Sequence, residues 1–376
     1  MTRRLLISSF AIVASCLVTA CSIEPPLHLR RAVQTKVQLS TSVNLELMWQ
    51  LDWETRWQFN WDVSMLGPLG YQEPASMRMH IYTQGPDGLP VSHTVHNFMG
   101  RTSRLDVFLG THDLLFHNND SESLLFRTKE DQIECVESYT RIVSSGLKAS
   151  SPVFTTFQKL NASTKADDPA EEPVALAPDA LFSLYYPNVT ITDNPEDYVY
   201  EDGHYVLRIE GNLTPATFIY LIQVKLLHNQ GRVVGSNGGG AITGVAQGVD
   251  LMTRKTWDNT VSIPMDVYMD RSQDMLGARV LSFGIPGCNP YDAASLADAA
   301  AGRHFFVLNV SYVNGSWRNI HMDITDQVRA LPLGGVITME IDVDDFPPDE
   351  SAGTGGGFNA LVSDWNEEQG STTIIN

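Results

Sequence analysis

The sequence predicts an all-β protein built from β-sandwiches, and three observations lead to this prediction. Apolar residues recur at every second position in many short segments, as on strands that bury one face. Clusters of turn-forming residues separate these segments, and helical periodicity is scarce. Strands of this kind close a core by packing sheet against sheet, and sandwiches are favoured over barrels.

The predicted strands follow one another along most of the chain. In order they are Val37–Trp49, Ser76–Gln84, Ser103–Gly110, His204–Leu213, Thr260–Asp270, His304–Gly315, Trp317–Val328 and Val336–Val343. Turn sequences lie at Gly85–Gly88, His117–Asp120 and Asn229–Gly231. The pair Asn314-Gly315 predicts a tight hairpin, because such a turn needs positive φ at both central residues. One segment, Pro290–Gly302, is a helix candidate.

The first twenty residues predict a bacterial lipoprotein signal peptide. Arg3 and Arg4 precede an apolar segment that is too short to span a membrane. This segment ends in the letters LVTAC, where small residues precede Cys21 as lipidation and cleavage require. Each buried CH₂ of an acyl chain contributes roughly 0.8 kcal/mol, so several chains on Cys21 make a permanent anchor. Cys16 also fits the pattern, and an ordinary secretory signal is the alternative.

Composition narrows the class of partner. The chain carries 25 basic and 44 acidic residues, and removal of Arg3 and Arg4 with the signal changes the net charge from −19 to −21. This acidic balance argues against nucleic acid as a partner, because neutralisation of phosphates by Lys and Arg dominates such binding. Of the four cysteines, Cys135 and Cys288 remain after the signal and Cys21, and two unpaired buried cysteines are expected.

Pro-rich and Gly-rich stretches predict the domain organisation. The predicted parts are a signal peptide (1–20), a lipidated tether (21–34), an N-terminal sandwich (35–193), a C-terminal sandwich (194–350), and a Gly-rich junction with a tail strand (351–376). The boundary is set near Asn194, within a proline-punctuated segment. One domain with a long insertion is the alternative.

Signatures of catalysis, cofactors and metals are absent from the sequence. It contains no HExxH, GxSxG or Walker motif, and Gly238–Gly244 lacks the spacing that cradles phosphate and is interpreted as a glycine-rich turn. The pairs His93/His96 and His112/His117 are expected to be surface or strand histidines. The sequence therefore predicts a non-enzymatic protein, and a hydrolase with acids far apart in the chain is the alternative.

Four of the seven tryptophans recur at every fourth position: Trp49, Trp53, Trp57 and Trp61. An even spacing puts all four on one face of a strand, and the segment continues a predicted strand, so an extended hairpin or bent strand is expected. A tryptophan buries about 150–250 Å², and four exposed ones would exceed the usual apolar patch of a soluble surface. Packing within the domain or against a partner subunit is therefore favoured over a sugar-stacking platform.

Several stretches together resemble a known family. They are the lipidation motif, Phe116–Arg127 (FHNNDSESLLFR), His321–Val328 (HMDITDQV) and Gly355–Glu368 (GGGFNALVSDWNEE). They resemble lipoproteins of Gram-negative gut anaerobes within the fimbrillin-like superfamily, which comprises type V pilus subunits and their anchors. The resemblance implies two transthyretin-like (Greek-key) β-sandwich domains in tandem.

The resemblance also implies a mode of assembly. In pilus subunits of that superfamily a protease cuts after an arginine and removes the first strand, and the C-terminal strand of a neighbour fills the groove. Anchor subunits keep their lipid and first strand. Arg30 and Arg31 precede the first predicted strand, so cleavage there would release the lipid without opening a groove, and Arg56 lies among the tryptophans. A retained, anchored subunit is favoured.

The predicted function is accordingly pilus assembly, anchoring or cell adhesion through β-strand complementation, at the outer membrane, with the facing undecided. Predicted partners are other fimbrillin-like subunits, the membrane through the lipid, and host or microbial glycans. The tail offers apolar groups that could fill a groove in this chain or in a neighbour: Phe358, Leu361, Val362, Trp365, Ile374 and Ile375. The alternative is a glycan-binding lipoprotein of a polysaccharide-uptake system that uses the tryptophan strip.

Overall fold

Strands dominate the computed structural model, which describes residues 33–41, 55–129, 132–143, 172–299, 302–348 and 372–375. The strands are β1 (Val33–Thr41), β2 (Ser76–Gln84), β3 (Pro90–Met99), β4 (Thr102–Val107), β5 (Gly110–Asn118), β6 (Leu124–Lys129), β7 (Gln132–Thr140), β8 (Phe182–Ile191), β9 (Val199–Glu201), β10 (His204–Pro215), β11 (Phe218–Leu227), β12 (Val233–Ala246), β13 (Gly248–Asp250), β14 (Thr260–Met265), β15 (Val267–Asp270), β16 (Met275–Ser282), β17 (Phe305–Tyr312), β18 (Trp317–Asp323), β19 (Gly335–Asp342) and β20 (Thr372–Ile375). The short helices are α1 (Val63–Leu66), α2 (Ala293–Asp298) and α3 (Thr325–Ala330). The predicted all-β class is confirmed.

The first sandwich packs sheet β3-β2-β5-β8 against sheet β9-β10-β1-β4. The two sheets meet at one corner, where the last two residues of β10 pair with the start of β8. Met77, Met79 and Phe116 from one sheet and Leu213 from the other are buried in a shared core. The alternation in β2 that predicted a strand is therefore the alternation between this core and the opposite face.

The second sandwich packs sheet β15-β16-β11-β19 against sheet β14-β12-β17-β18-β20. Its core is the largest apolar cluster among the described residues, and both sheets contribute to it through residues such as Ile222, Leu276, Phe306 and Ile320. Cys288 lies buried in this core as a free thiol, and its Sγ donates to the carbonyl of Ile285.

The two sandwiches share one topology. When the seven principal strands of each are numbered in chain order, one sheet reads 7-1-4 and the other 3-2-5-6. In both, the first and last strands are parallel neighbours, β1 with β10 and β11 with β19. The predicted tandem of β-sandwiches is thus confirmed, and the repeat lies in strand order, although no repeat is legible in the sequence.

The chain passes from the first sandwich to the second after β10. Strands β9 and β10 follow Asn194 in the chain, yet they pair in the first sandwich. Only Ala216 and Thr217 separate β10 from β11, and both are buried. We propose a domain boundary at these two residues in place of the predicted one at Asn194.

A third sheet, β6-β7-β13, joins the two sandwiches. The hairpin β6–β7, which we call the latch hairpin, leaves the first sandwich, and β7 pairs with β13 from the second. The Arg127 guanidinium lies 4.6 Å from the centre of the Trp257 ring, and its Nε donates to Glu137 at 2.6 Å. The motif Phe116–Arg127 is therefore the turn and strand that bring this latch to the second domain.

Two local predictions differ from the structure. The segment Gly238–Gly244, predicted as a turn, belongs to strand β12, and the register of β12 with its neighbours shifts there. Gly239 has φ +86° and lies so close to the carbonyl of Met265 that a Cβ would clash with it, so glycine is required at this position. At the β17–β18 turn only Gly315 has positive φ, so the loop is longer than the predicted two-residue turn.

Candidate functional site

The predicted lipid-attachment residue, Cys21, lies outside the described residues. So do Trp49, Trp53, Phe358, Leu361, Val362 and Trp365. Among the residues that the structure describes, no helix is both long and apolar enough to span a bilayer.

The first strand occupies the middle of a sheet. Eight residue pairs join β1 in parallel to β10, from Gln34↔Val206 to Thr41↔Leu213. Six pairs join its other edge to β4, from Val33↔Val107 to Gln38↔Thr102. A backbone ladder therefore runs along both edges of residues 33–41, which begin just after Arg30 and Arg31 in the sequence. Removal of this strand would leave β10 and β4 with unpaired backbone groups.

The last strand of the tail lies on the edge of the second sandwich. Four residue pairs, from Asn319↔Thr372 to Met322↔Ile375, join β20 in parallel to β18. Ile374 and Ile375, both predicted tail-strand residues, thus belong to a strand that adds to a sheet of its own chain. The outer edge of β18 is therefore occupied. The equivalent strand of the first sandwich, β8, is irregular instead, because it contains Pro187 and Asn188, whose φ is +57°, where its register with β5 shifts.

The half of the tryptophan segment that the structure describes is a strap across the second sandwich, not a strand. We define the strap as residues 55–74, which include the short helix α1. The Gln223 side chain on β11 accepts from the backbone N–H of Gln58 at 2.9 Å and donates to the carbonyl of Arg56 at 2.7 Å. These two hydrogen bonds to the side-chain amide of Gln223 fix the strap on the outer face of β11.

Aromatic contacts seal the strap onto the sheet. Phe59 is 5% exposed and lies directly over Gly277 of β16. Trp61 meets Tyr268 of β15 edge-on with ring centres 5.8 Å apart, and its indole N–H donates to the carbonyl of Gly67 at 2.9 Å. Trp57 is partly buried beside Phe59. The described tryptophans are thus held by packing within the chain, and their rings do not form an open platform.

Three histidines form a hydrogen-bonded row across β3, β2 and β5. The Nε2 atom of His93 lies 3.0 Å from Nδ1 of His80, and Nε2 of His80 lies 3.0 Å from Nε2 of His117. Nδ1 of His117 donates to the backbone carbonyl of Asn118 at 2.7 Å. That carbonyl only accepts, so His117 Nε2 accepts from His80, and His80 Nδ1 accepts from His93.

Burial keeps this row neutral. Desolvation, with a smaller contribution from the neighbouring rings, lowers the pKa of His80 to about 3. Desolvation also lowers the pKa of His117 to about 4, and it lowers the pKa of the less buried His93. Phe126 of the latch hairpin stacks on His117 with ring centres 4.6 Å apart, so the row lies beneath the connection between the domains.

A second polar cluster lies at the far end of the second sandwich. Nδ1 of His228 is 2.8 Å from Asp342 Oδ2 and 3.9 Å from Asp344 Oδ2, a spacing compatible with a metal ion. Arg232 donates to the other oxygen of Asp344 and already balances charge at this place. Asp342 ends β19 and caps the following 3-10 turn by accepting from the N–H of Asp344. The cluster is explained as a strand-end cap.

A cleft of about 370 Å³ opens between the strap and the turn that follows β5. The strap contributes Tyr71 and Glu73, the β5 turn contributes Asp120, and the segment before β8 contributes Asp179. Arg279 of β16, in the second sandwich, lines the same cleft. Sequence reasoning missed this site, because its residues come from four separate parts of the chain and share no motif.

Comparison with known proteins gives one family and several solved folds. The model of a family described as Domain of unknown function (DUF5119) matches residues 55–266. No functionally curated protein matches the sequence. The matched region runs from the start of the strap through most of the first sandwich and into the second, where it ends just after β14.

The solved structures are similar in fold at low identity. A candidate adhesin from Bacteroides ovatus is 15% identical, with 83% of this chain and 93% of that chain covered and a TM-score of 0.47. The fimbrial anchor protein Mfa2 from Porphyromonas gingivalis is 11% identical, with 83% and 90% covered and a TM-score of 0.40. A candidate polysaccharide-binding protein from Bacteroides thetaiotaomicron is 7% identical, with 82% and 90% covered and a TM-score of 0.42.

The contact between Phe59 and Gly277 makes a test of the strap. A Cβ at residue 277 would lie 2.5 Å from the Phe59 ring, so Gly277→Ala is expected to lower the free energy of unfolding by about 1–3 kcal/mol. Gly235→Ala on β12 is the matched control, because nothing lies within 4 Å of a Cβ there. Urea unfolding of both variants measures the difference, and equal stability would contradict the strap contact.

The histidine row predicts a loss of stability in mild acid. Below pH 6.5, the pKa of histidine in the unfolded state, His80 and His117 become protonated in the unfolded chain. In the folded chain they stay neutral until the pH falls to about 3–4. The free energy of unfolding should therefore fall between pH 7 and pH 5 by roughly 1–2 kcal/mol for each buried histidine.

The variant His80→Phe removes one of these histidines and keeps a flat ring. It should unfold more easily at pH 7 and lose less stability on going to pH 5, as measured by urea unfolding at each pH. The control His204→Phe replaces an exposed histidine. Equal pH slopes for His80→Phe and the parent chain would contradict the assignment.

Proposed function

We propose that this chain, which belongs to the family described as Domain of unknown function (DUF5119), is a non-catalytic, fimbrillin-like lipoprotein. In this proposal it is anchored in the outer membrane through Cys21 and acts in fimbrial anchoring or adhesion. The observation that carries the proposal is the state of its two terminal strands, because both are paired within the chain.

The first strand supports an anchored role. A subunit that accepts a strand from a neighbour needs an open groove, and here β1 fills the space between β10 and β4 along fourteen residue pairs, eight on one edge and six on the other. The early arginines, Arg30 and Arg31, precede this strand. Cleavage after either one would cut the tether and leave the groove filled.

The pairing of the tail strand indicates a second sandwich whose β18 edge is closed without a neighbouring subunit. Pairing of β20 with β18 satisfies an edge that would otherwise present free N–H and C=O groups to other chains. A strand held in this way can also be released and offered to a partner, since four residue pairs are a short ladder. Donation of β20 to a neighbouring subunit is therefore the form of β-strand complementation that we propose.

The tryptophan strip contributes to the fold in this proposal. Trp61 and Phe59 contact Tyr268 and Gly277 on the outer face of the second sandwich. That packing leaves the described half of the strip without a flat exposed surface for sugar rings. The non-catalytic role rests on the sequence, in which no motif points to a reactive centre.

Lipid attachment is tested by metabolic labelling. When the full gene is expressed in a Gram-negative host fed with alkyne-palmitate, we expect the chain to become labelled through the acyl chains on Cys21. Cys21→Ser should abolish labelling and leave the signal uncleaved, whereas Cys16→Ser is the matched control and should label normally. Labelling that survives Cys21→Ser would contradict the anchor.

The tail strand is tested by truncation and rescue. A chain that ends at Pro348 lacks β20 and should have a lower Tm, by about 2–4 °C for each kcal/mol of stability lost. A synthetic peptide of residues 366–376, added in trans, should bind and restore the Tm because it can rebuild the pairing with β18.

The control peptide carries Thr372→Pro and Thr373→Pro. Successive N–H groups of a strand point to opposite edges, so replacing both residues removes one N–H that faces β18. This peptide should not rescue. An unchanged Tm after truncation, or equal rescue by both peptides, would contradict strand donation.

A further inference from the structure

The cleft between strap and domains has the composition of a ligand site. Its volume of about 370 Å³ lies in the range of small-molecule pockets, and such pockets are frequent at domain interfaces. One wall carries the partly buried ring of Tyr71, which meets the buried ring of Phe182 edge-on with centres 5.4 Å apart. Polar groups from both domains line the rest of it, so a ligand here would contact both sandwiches.

Arg279 is the only arginine or lysine among the residues that line this cleft. Its Nε donates to the carbonyl of Leu69 at 3.1 Å, and Nη2 donates to the carbonyl of Gly70 at 3.4 Å. Both partners are neutral, and within the described residues no carboxylate oxygen lies within 4 Å of the guanidinium. Burial lowers the pKa of Arg279, because a charge held away from water without a counter-charge is costly.

The rim of the cleft supplies oriented acceptors. Asp120 accepts from the N–H of Ala75 at 2.7 Å and from the Asn118 side chain at 2.8 Å. Asp179 accepts from the N–H groups of Glu122 and Ser123, both at 2.9 Å. These backbone donors fix the carboxylates in position. Both aspartates are exposed, so each retains room to accept further hydrogen bonds from a ligand.

This arrangement selects one kind of ligand. A phosphate would place two negative charges beside Asp120 and Asp179 and would be repelled, whereas a neutral sugar would leave Arg279 without a counter-charge. A uronic acid carries a single carboxylate for the remaining Nη N–H groups of Arg279, hydroxyl donors for the aspartates, and C–H groups for the Tyr71 ring. We propose that the cleft binds a uronic-acid unit of an acidic polysaccharide.

The inference deepens the proposed function, since it gives adhesion a ligand class, and it rests on that function only for the cell-surface setting. Binding itself is a property of the purified chain. A failure of lipid labelling or of peptide rescue would therefore leave the cleft intact, and a failure of binding would leave anchoring and strand donation intact.

The test is titration calorimetry on the lipidated mature chain in detergent, with methyl galacturonoside, a single uronate unit, as the probe. We expect methyl galacturonoside to bind, its methyl ester to bind at least tenfold more weakly, and inorganic phosphate not to compete. Esterification removes the negative charge and keeps the hydroxyls, so this comparison on the unaltered protein isolates the contact to Arg279.

Variants locate the site. Arg279→Gln should weaken the binding of methyl galacturonoside at least tenfold, and Arg208→Gln, which removes an ion pair with Glu201 on a remote strand of the first sandwich, should bind as the parent does. If Arg279→Gln loses the fold, as judged by its Tm, the acid-against-ester comparison on the parent chain decides alone. The proposal is overturned if acid and ester bind equally, if neither binds, if phosphate competes, or if folded Arg279→Gln binds like the parent.

Discussion

The whole architecture depends on the requirement that every backbone group of an inner strand finds a partner. In each sandwich the strand that comes first in the chain lies in the middle of a sheet and needs a ladder on both edges. For β1 those ladders come from β4 and β10, and for β11 they come from β16 and β19. The last strand of each domain must therefore return beside the first, which fixes the parallel pair and the order of the strands between them.

The same requirement applies to edge strands, and the two domains satisfy it in different ways at β8 and β18. In the first sandwich, β8 is blunted by a proline and by a residue with positive φ, and its start is paired with the end of β10. In the second, β18 has a regular ladder and takes up β20 from the end of the chain. One topology thus gives one domain in which β8 is paired at its start with β10, and one domain in which the edge of β18 is covered by β20. This asymmetry is the structural basis on which strand exchange with neighbours rests in our proposal.

Sequence patterns predicted the parts of the fold that depend on neighbours in the chain. Strand β2 was predicted at its observed bounds, because Met77, Met79 and Ile81 alternate with the residues of the opposite face. Strand β11 gave no such alternation, because the strap covers its outer face with residues about 150 positions away, and both faces are apolar. The tryptophans were expected on a strand because their spacing is even and their segment continues a predicted strand. The sequence does not show that the described ones pack on β15 and β16, which lie far along the chain. The histidine row depends on the register between three strands, and the cleft depends on which distant segments pack together. A single sequence carries no signal of either.

The parallel pairing of β1 has a mechanical meaning for a chain held at its N-terminus. A pull on the tether enters β1 along its own axis, and it loads the pairs with β4 and β10 side by side, in shear. Bonds loaded in shear break together, whereas bonds at a peeled edge break one after another. If the chain is anchored through Cys21 and offers β20 to a neighbour, as we propose, the four pairs of β20 would separate under less tension than the fourteen pairs of β1.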